Sequence, residues 1–434
     1  MGQFTPLNRR QKSEDVLFIT LILYILTSLF MLPGDTRFKI VYYLQIDFVT
    51  SKIRWILTPK VTIPYKELNI HNERWKEYIS SYYITNQTKL DFVPIPFDRI
   101  YRSTGRYYEL ENVLVWKEGL FYNGTLLKYD YQNSFSPQRI NCKDIVPTGI
   151  FIRMPYNTYG HFIHDILGTL VMYPDHLLKQ ELYVFHNYNW NDKFIEHLEA
   201  MGLTNIHPYD PHINGFVLVR KFYYIHPYEF THEFDHLGLP RISKYFRSNL
   251  KFDRIEPTKY SIINRRPNER RYFTNIKELM PALKVKFPNI NFQEIHLQEK
   301  LADTGRLFAE TKVFIGSGGS LLFNAVFMSN GTGIVCLFAD KIDLPNHILF
   351  ACLGIYNIGI VHPYINIYEG NGPCNVDLTV SCVEKILFAV ENKKYPHMKG
   401  FHPVVADYSL FFKDQMGNSY NHGAVWNYAE KEIE

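Results

Sequence analysis

Three groups of residues in this chain have the types and spacing for chemistry. The first is Gly316-Ser317-Gly318-Gly319-Ser320, inside the stretch KVFIGSGGSLLFNAVFMSNGTGIVCLF at 312–338. That stretch reads as a buried strand, a glycine-rich loop, a short helix starting at or near Ser320, and a second buried strand. Glycines let a backbone turn sharply and approach a ligand without Cβ atoms in the way. The first N–H groups of a helix lack acceptors and sit at its positive end, so they suit a phosphate. The spacing is not G-x-G-x-x-G, because Ser320-Leu321 stand where the last glycine would fall, and the lysine of a nucleotide-hydrolase loop is missing. A tight strand-to-helix turn with no ligand would use the same glycines.

The second group is His161 and Asp165 in the run NTYGHFIHD that begins at Asn157. Four residues apart on a helix opened by Gly160, they share a face. The carboxylate can fix the ring tautomer while the other ring nitrogen takes a proton from a hydroxyl. Hydrogen bonds at a helix start are the plainer explanation, and a metal is disfavoured because the pattern suggests no third ligand. The third group is NRRPNERR, which places Arg265, Arg266, Arg270 and Arg271 on a loop directly after a strand. Paired guanidinium N–H donors grip a diphosphate well, although a charged loop partly neutralised by Glu269 would look the same. No Asp-x-Asp occurs; the nearest approach is Asp340-Lys-Ile-Asp343. A sugar diphosphate would then be met by arginines and a helix N-terminus instead of a divalent metal on paired carboxylates, and no cofactor or metal is expected.

The elements that must position these groups read as α/β. From Gly149 onward, helical stretches at 160–172 and 193–201 alternate with strands at 181–185 and 216–219. A second set opens with a strand at 260–263. Ile276, Leu279, Met280 and Leu283 then mark one helical face, with Thr274 as its cap and Pro281 inside it. A helix at 297–310 leads into the glycine unit, and 386–391 ends a closing helix. Two such sets suggest two facing Rossmann-like halves with a cleft between them. Residues 107–131 alternate polar and apolar between turn signals, so they read as β-hairpins.

The composition is globular, with 46% hydrophobic and 21% charged residues. A net charge of +4 spread along 434 residues gives no basic patch, so nucleic acid is not indicated. Residues 16–32 are uncharged and apolar, near the short end of the ~17–25 residues that span a bilayer. Arg9, Arg10 and Lys12 precede them, which places the arm in the cytosol and the rest in a lumen. No small-x-small cleavage site follows, so an anchor is favoured over a cleaved signal peptide. The expected organisation is a cytosolic arm at 1–15, a transmembrane signal anchor at 16–33, a stem at 34–106, a first α/β half at 107–255, a second α/β half at 256–400 and a tail at 401–434. The short span fits a single-pass type II protein of the endoplasmic reticulum or Golgi. In that compartment Asn86 and Asn123 head usable glycosylation patterns, whereas Asn330 sits close to packed structure. The five cysteines show no zinc spacing, and Cys374 and Cys382 are the favoured local disulfide pair.

These features in this order resemble glycosyltransferase family 61, over roughly residues 109–386. The family's Asn/Tyr-x-x-His-x-x-x-Asp stretch corresponds to Asn157 to Asp165, and its arginine-rich segment before an asparagine corresponds to Arg265 to Asn275. Its glycine unit, Leu-x-Asn and Phe-Met-x-x-Gly turn correspond to Gly316, Gly319, Ser320, Leu322, Asn324, Phe327, Met328 and Gly331. The resemblance implies a GT-B fold and transfer from a nucleotide sugar, such as a UDP-sugar, to a glycan or glycoprotein with inversion. It also implies a base at Asp165 or His161 and a donor site at Arg265, Arg266, Arg270, Gly316, Gly318, Gly319, Ser320 and Asn324. The chain departs from the pattern at Gly318, where many members have His, and at Cys336, where many have Glu. Those two departures motivate a second reading, a non-catalytic descendant that binds a glycan or partner.

Overall fold

Near-continuous apolar runs are the signature of strands covered on both faces, as in parallel sheets. Such runs build the sheet that carries the glycine loop. The structure is a computed structural model that describes residues 66–71, 81–84, 93–94, 102–116, 119–122, 125–128, 142–152, 158–186, 191–209, 216–227, 235–339, 343–362, 365–366, 368 and 370–396. The expected arm, anchor and tail, together with Asn86, Asn123 and Asn157, lie outside these residues. Among the described residues, no helix is long and apolar enough to cross a membrane.

The strands in chain order are β1 (Lys66–His71), β2 (Ser81–Ile84), β3 (Val93–Pro94), β4 (Arg102–Trp116), β5 (Gly119–Tyr122), β6 (Thr125–Lys128), β7 (Cys142–Ile152), β8 (Leu182–His186), β9 (Ile206–Tyr209), β10 (Phe216–Pro227), β11 (Lys259–Ile263), β12 (Phe292–Glu294), β13 (Thr311–Ser317), β14 (Gly333–Phe338) and β15 (Tyr356–Val361). The chain forms two compact units. The smaller unit comprises Met1–Pro64, Glu109–Gly149 and Asp210–Phe222. It contains the expected hairpins, with Leu114 opposite Phe121 and Leu120 opposite Leu127. Val113, Leu114, Val115 and Leu120 are among its buried strand positions.

The larger unit comprises Tyr65–Tyr108, Ile150–Tyr209 and Tyr223–Glu434 and holds all three candidate groups. One of its sheets has the order β12-β11-β13-β14-β15-β2-β3. It is parallel from β12 to β2, with β3 antiparallel at the edge. β14 and β15 are buried at every position. In the other sheet of this unit, β8 pairs parallel with β9 and β1 pairs antiparallel with the start of β4. The result is a mixed α/β chain with two sheets of Rossmann-like character.

Several expectations need adjusting. Part of the stretch read as a stem is sheet, because β2 lies beside β15 with Ile360 opposite Tyr83. One of its prolines, Pro94, lies in the edge strand β3. The position 255/256 does not separate the two compact units: one apolar cluster runs from Ile150 to Val361. Aromatic packing closes that seam, with Phe246 tilted against Phe327 and Phe252 edge-on to it at ring-centroid distances of 4.7 and 6.2 Å. The helix Ile276–Lys286 buries Ile276, Leu279 and Leu283 as the spacing demanded, but Asn275 rather than Thr274 precedes it. Asn275 makes no cap there, and its side chain bonds both ways to the backbone of Cys374. The element after the glycine loop is a 3-10 helix, Ser320–Phe327, instead of an α-helix. Cys374 and Cys382 are both free thiols, with burial pushing them up to about 11 and about 12.

Candidate active site

The base-bearing helix runs through three contiguous segments, Tyr159–His161, the wider π-wound Phe162–Leu167, and Gly168–Leu170. Local π-winding is common at functional sites because it re-aims side chains. Here it brings three titratable groups together. Asp165 Oδ2 lies 2.7 Å from His161 Nδ1, and Asp165 Oδ1 lies 2.7 Å from His164 Nδ1. A carboxylate only accepts, so both imidazoles carry their proton on Nδ1 and present Nε2 as the basic nitrogen. The side chains of Asp165 and His164 are 5% and 2% exposed, against 22% for His161. His161 is therefore the most accessible member of the three, and Asp165, with both oxygens engaged, orients it.

His164 is the third group that the sequence pattern did not supply. With His161 and Asp165 it places three possible metal-ligating atoms within 4.8 Å of one another. The 2.7 Å spacings are hydrogen-bond distances, shorter than the separation of two ligand atoms that share a zinc at about 2.0 Å each in tetrahedral geometry.

The arginine loop is built by Asn264, which is buried at the end of β11. Its amide accepts from Arg265 N at 3.0 Å and Phe273 N at 3.1 Å and donates to Phe273 O at 2.8 Å, closing the loop on itself. At the loop's far side Arg271 has φ +63°, a conformation that costs a non-glycine residue about 1–3 kcal/mol and persists only when its surroundings impose it. Two bonds impose it here. Arg271 N donates to Gly370 O at 2.9 Å, and Ser317 Oγ donates to Arg271 O at 2.9 Å.

That conformation sends the Arg271 guanidinium to the glycine loop beside Arg265. Arg265 Nη2 donates to Gly318 O at 3.2 Å. A Cβ on Gly319 would collide with Arg271 Nη1 and stand 2.8 Å from Arg265 Nη2, and Gly319 itself has φ +113°. Glycine is required there both by conformation and by the approach of two cations. The Nε atoms of both arginines are buried without a hydrogen-bond partner. Burial first, then the neighbouring Arg271 charge, lowers Arg265 to about 10. Burial likewise lowers Arg271, opposed by the Asp343 carboxylate. Both remain cationic at neutral pH. Two partly desolvated like charges side by side are unfavourable unless an anion completes them.

The other expected donor residues fall into distinct roles. Arg266 and Arg270 are exposed. Gly316 makes room for the Phe314 ring and Leu322, and a Cβ on Gly318 would stand 2.5 Å from Phe338. The loop's amides are already used: Gly318 N donates to Leu337 O at 2.8 Å, and Gly319 N donates to Asn346 Oδ1 at 2.7 Å. Asn346, fully buried, also returns a bond to Gly319 O at 3.2 Å. Two of the loop's N–H groups are thus engaged within the fold, and the arginines bring further donors to Gly319. Asn324 is buried, with its amide donating to Leu321 O and accepting from the Tyr159 hydroxyl. Cys336 lies under the loop, paired with Gly316 across the sheet. Burial, reinforced by Asp343, raises its thiol well above the ordinary range, so it is neutral. Asn346 had no signal in the sequence, and Arg271 was visible only as one of four loop arginines, since their roles depend on where a helix start and a left-handed residue point.

The base helix and the glycine loop meet within this unit. A Cβ on Gly160 would stand 3.0 Å from Phe323 and 3.4 Å from Ser320 Oγ, and the rings of His164 and Phe323 are 5.1 Å apart. The base therefore stands one residue away from a contact with Ser320, and Ser320 follows the glycine that the two arginines cover. Residues 159–335 match the family model for glycosyltransferase 61. The matched stretch runs from the base helix to β14 and contains His161, Asp165, Arg265, Arg271 and the whole glycine loop. It bears out the resemblance to glycosyltransferase 61 read from the sequence and supports a glycosyltransferase at the general level. No curated protein gave a significant match.

Proposed function

We propose that this chain is an inverting glycosyltransferase that moves a hexosyl or pentosyl group from a UDP-type nucleotide sugar to a hydroxyl of a glycan or glycoprotein. The observation that carries this reading is the pair of half-buried guanidinium groups converging on Gly319, their Nε atoms buried, with a His–Asp base on the helix that packs against the next residue. A diphosphate supplies the charge the arginines lack, and it needs no divalent metal held on paired carboxylates.

In the transfer step, the acceptor oxygen forms its bond to the anomeric carbon as His161 Nε2 takes its proton. The bond from that carbon to the diphosphate oxygen breaks, and its electron pair leaves with the diphosphate. Arg265 and Arg271 meet the charge that develops there. Asp165 holds the Nδ1 proton and stabilises the imidazolium that results. A single displacement inverts the anomeric centre. In this scheme the fold is GT-B, as the family resemblance implies. Residues 16–33 anchor the protein as a single-pass type II membrane protein of the Golgi or endoplasmic reticulum with the catalytic part lumenal, on the strength of the apolar run and the basic residues before it.

The test is turnover by the full-length protein with a panel of nucleotide sugars and glycan acceptors. One donor should be consumed by wild type and spared by His161→Ala, while the variant still binds the nucleoside diphosphate. Turnover that survives His161→Ala, or a wild type that neither binds nor consumes any donor, would contradict the proposal.

A further inference from the structure

The hydroxyl of Tyr159 lies between two acceptors. It stands 3.2 Å from Asn324 Oδ1, on the 3-10 turn after the glycine loop, and 3.3 Å from His197 Nε2, on the helix Asn191–Met201. Both acceptors are fixed by second bonds. Asn324 Nδ2 donates to Leu321 O at 2.8 Å, which turns Oδ1 toward Tyr159. His197 Nδ1 lies 2.6 Å from Lys193 O, and a carbonyl only accepts, so the ring proton is on Nδ1 and Nε2 holds a lone pair. His197 is buried and stays neutral, and the Tyr159 phenol, raised by burial and then by Glu196, stays protonated. One hydroxyl proton thus faces two acceptors at nearly equal distance.

We propose that Tyr159 is a positioning residue that latches the base helix to the donor-loop turn. With the proton on Asn324 the turn is tied to the helix two residues before His161. With the proton on His197 the turn is released, and no buried donor is orphaned on Tyr159. The residue next in sequence, Gly160, lets Phe323 and Ser320 of the same turn approach the helix, so the latch acts where the two halves of the site are closest. This inference rests on His161 as the base and on the arginine pair as the donor grip.

The test uses the full-length protein with Tyr159→Phe, which keeps the ring and removes the hydroxyl, and Asn324→Leu, alone and combined. The first measurement is amide hydrogen exchange over 159–167 and 320–327, which needs no turnover. Both segments should exchange about tenfold faster in Tyr159→Phe, with the melting temperature little changed. The second is the split between kcat and donor KM: kcat should fall about tenfold and KM stay within about twofold, because misplacing a base costs rate rather than ground-state binding. The double variant should be no worse than the poorer single one. Unchanged exchange in both segments, a kcat within about twofold of wild type, equal loss of kcat and donor affinity, or multiplying effects in the double variant would overturn the latch. A wild type without turnover, but with exchange altered as described, would overturn the reading of the site and leave the latch itself standing.

Discussion

The base helix and the arginine loop handle charge in opposite ways. At the helix, Asp165 fills both of its oxygens with imidazole N–H groups, so the unit is electrostatically complete before any substrate arrives. At the glycine loop, two guanidinium groups are packed together with their Nε atoms buried and unbonded, and Asp343, with Glu269 beside Arg265, offsets part of their charge, so the unit is suited to a further anion. The difference suggests a division of labour: stability resides on the base side, and ligand binding energy is held in reserve on the donor side. Removing charge should therefore harm folding at one and relieve it at the other.

The largest expected effects are on turnover. His161→Ala should lower kcat by about 10²–10⁴-fold with donor binding intact. Arg271→Ala should lower kcat/KM by about 10²–10³-fold, the loss typical of a donor to developing charge, while the ligand-free protein melts no lower than wild type. A clear drop in that melting temperature would break the contrast between the two regions. On the base side, Asp165→Asn should destabilise by about 1–3 kcal/mol in denaturant unfolding, because an amide cannot accept from both imidazoles and one buried N–H loses its acceptor. Equal melting of Asp165→Asn and wild type would remove the claim that this unit is pre-completed.

A pH effect sharpens the picture outside the site. His347 and His362 are buried, and burial lowers them to about 3 and about 4, as it lowers His197 to about 4. The unfolded chain binds protons at these rings near their ordinary value of about 6.5 while the folded chain does not. Their neutral burial thus favours the fold above about pH 6.5, and that stability is lost as the pH falls toward about 4. Unfolding free energy should fall by several kcal/mol between pH 7 and pH 5, at about 1.4 kcal/mol per pH unit for each ring. A flat profile would show that these rings are not held neutral. The smallest effect should come from Arg266→Ala and Arg270→Ala, each within about twofold of wild type, since both side chains are exposed.

What the sequence made legible follows the same divide. Helical spacing fixed the His161–Asp165 contact, because residues four apart share a face whatever surrounds them. Apolar runs likewise marked β13 and β14, and alternation marked the hairpins of β4 to β6. The arginine loop was visible as composition, but which arginine would reach Gly319 was not. That depends on the left-handed backbone of Arg271, imposed by Ser317 and by Gly370, which is 99 residues further along the chain. The partner of the Gly319 amide was not legible for the same reason, since Asn346 reaches Gly319 from a later helix. The strand pairing of β2 with β15 joins segments far apart in sequence, and local pattern carries no record of such pairing.

The proposed function stands on Arg265 and Arg271 as the anion site for a diphosphate. Its most direct test is the melting temperature of the full-length protein with and without UDP, for wild type and for the Arg265→Ala/Arg271→Ala double variant. At about a hundred times the dissociation constant, a single site adds about 2.7 kcal/mol to stability, which should raise the wild-type melting temperature by several degrees and leave the double variant unmoved. No shift in wild type, or the same shift in both proteins, would contradict the account.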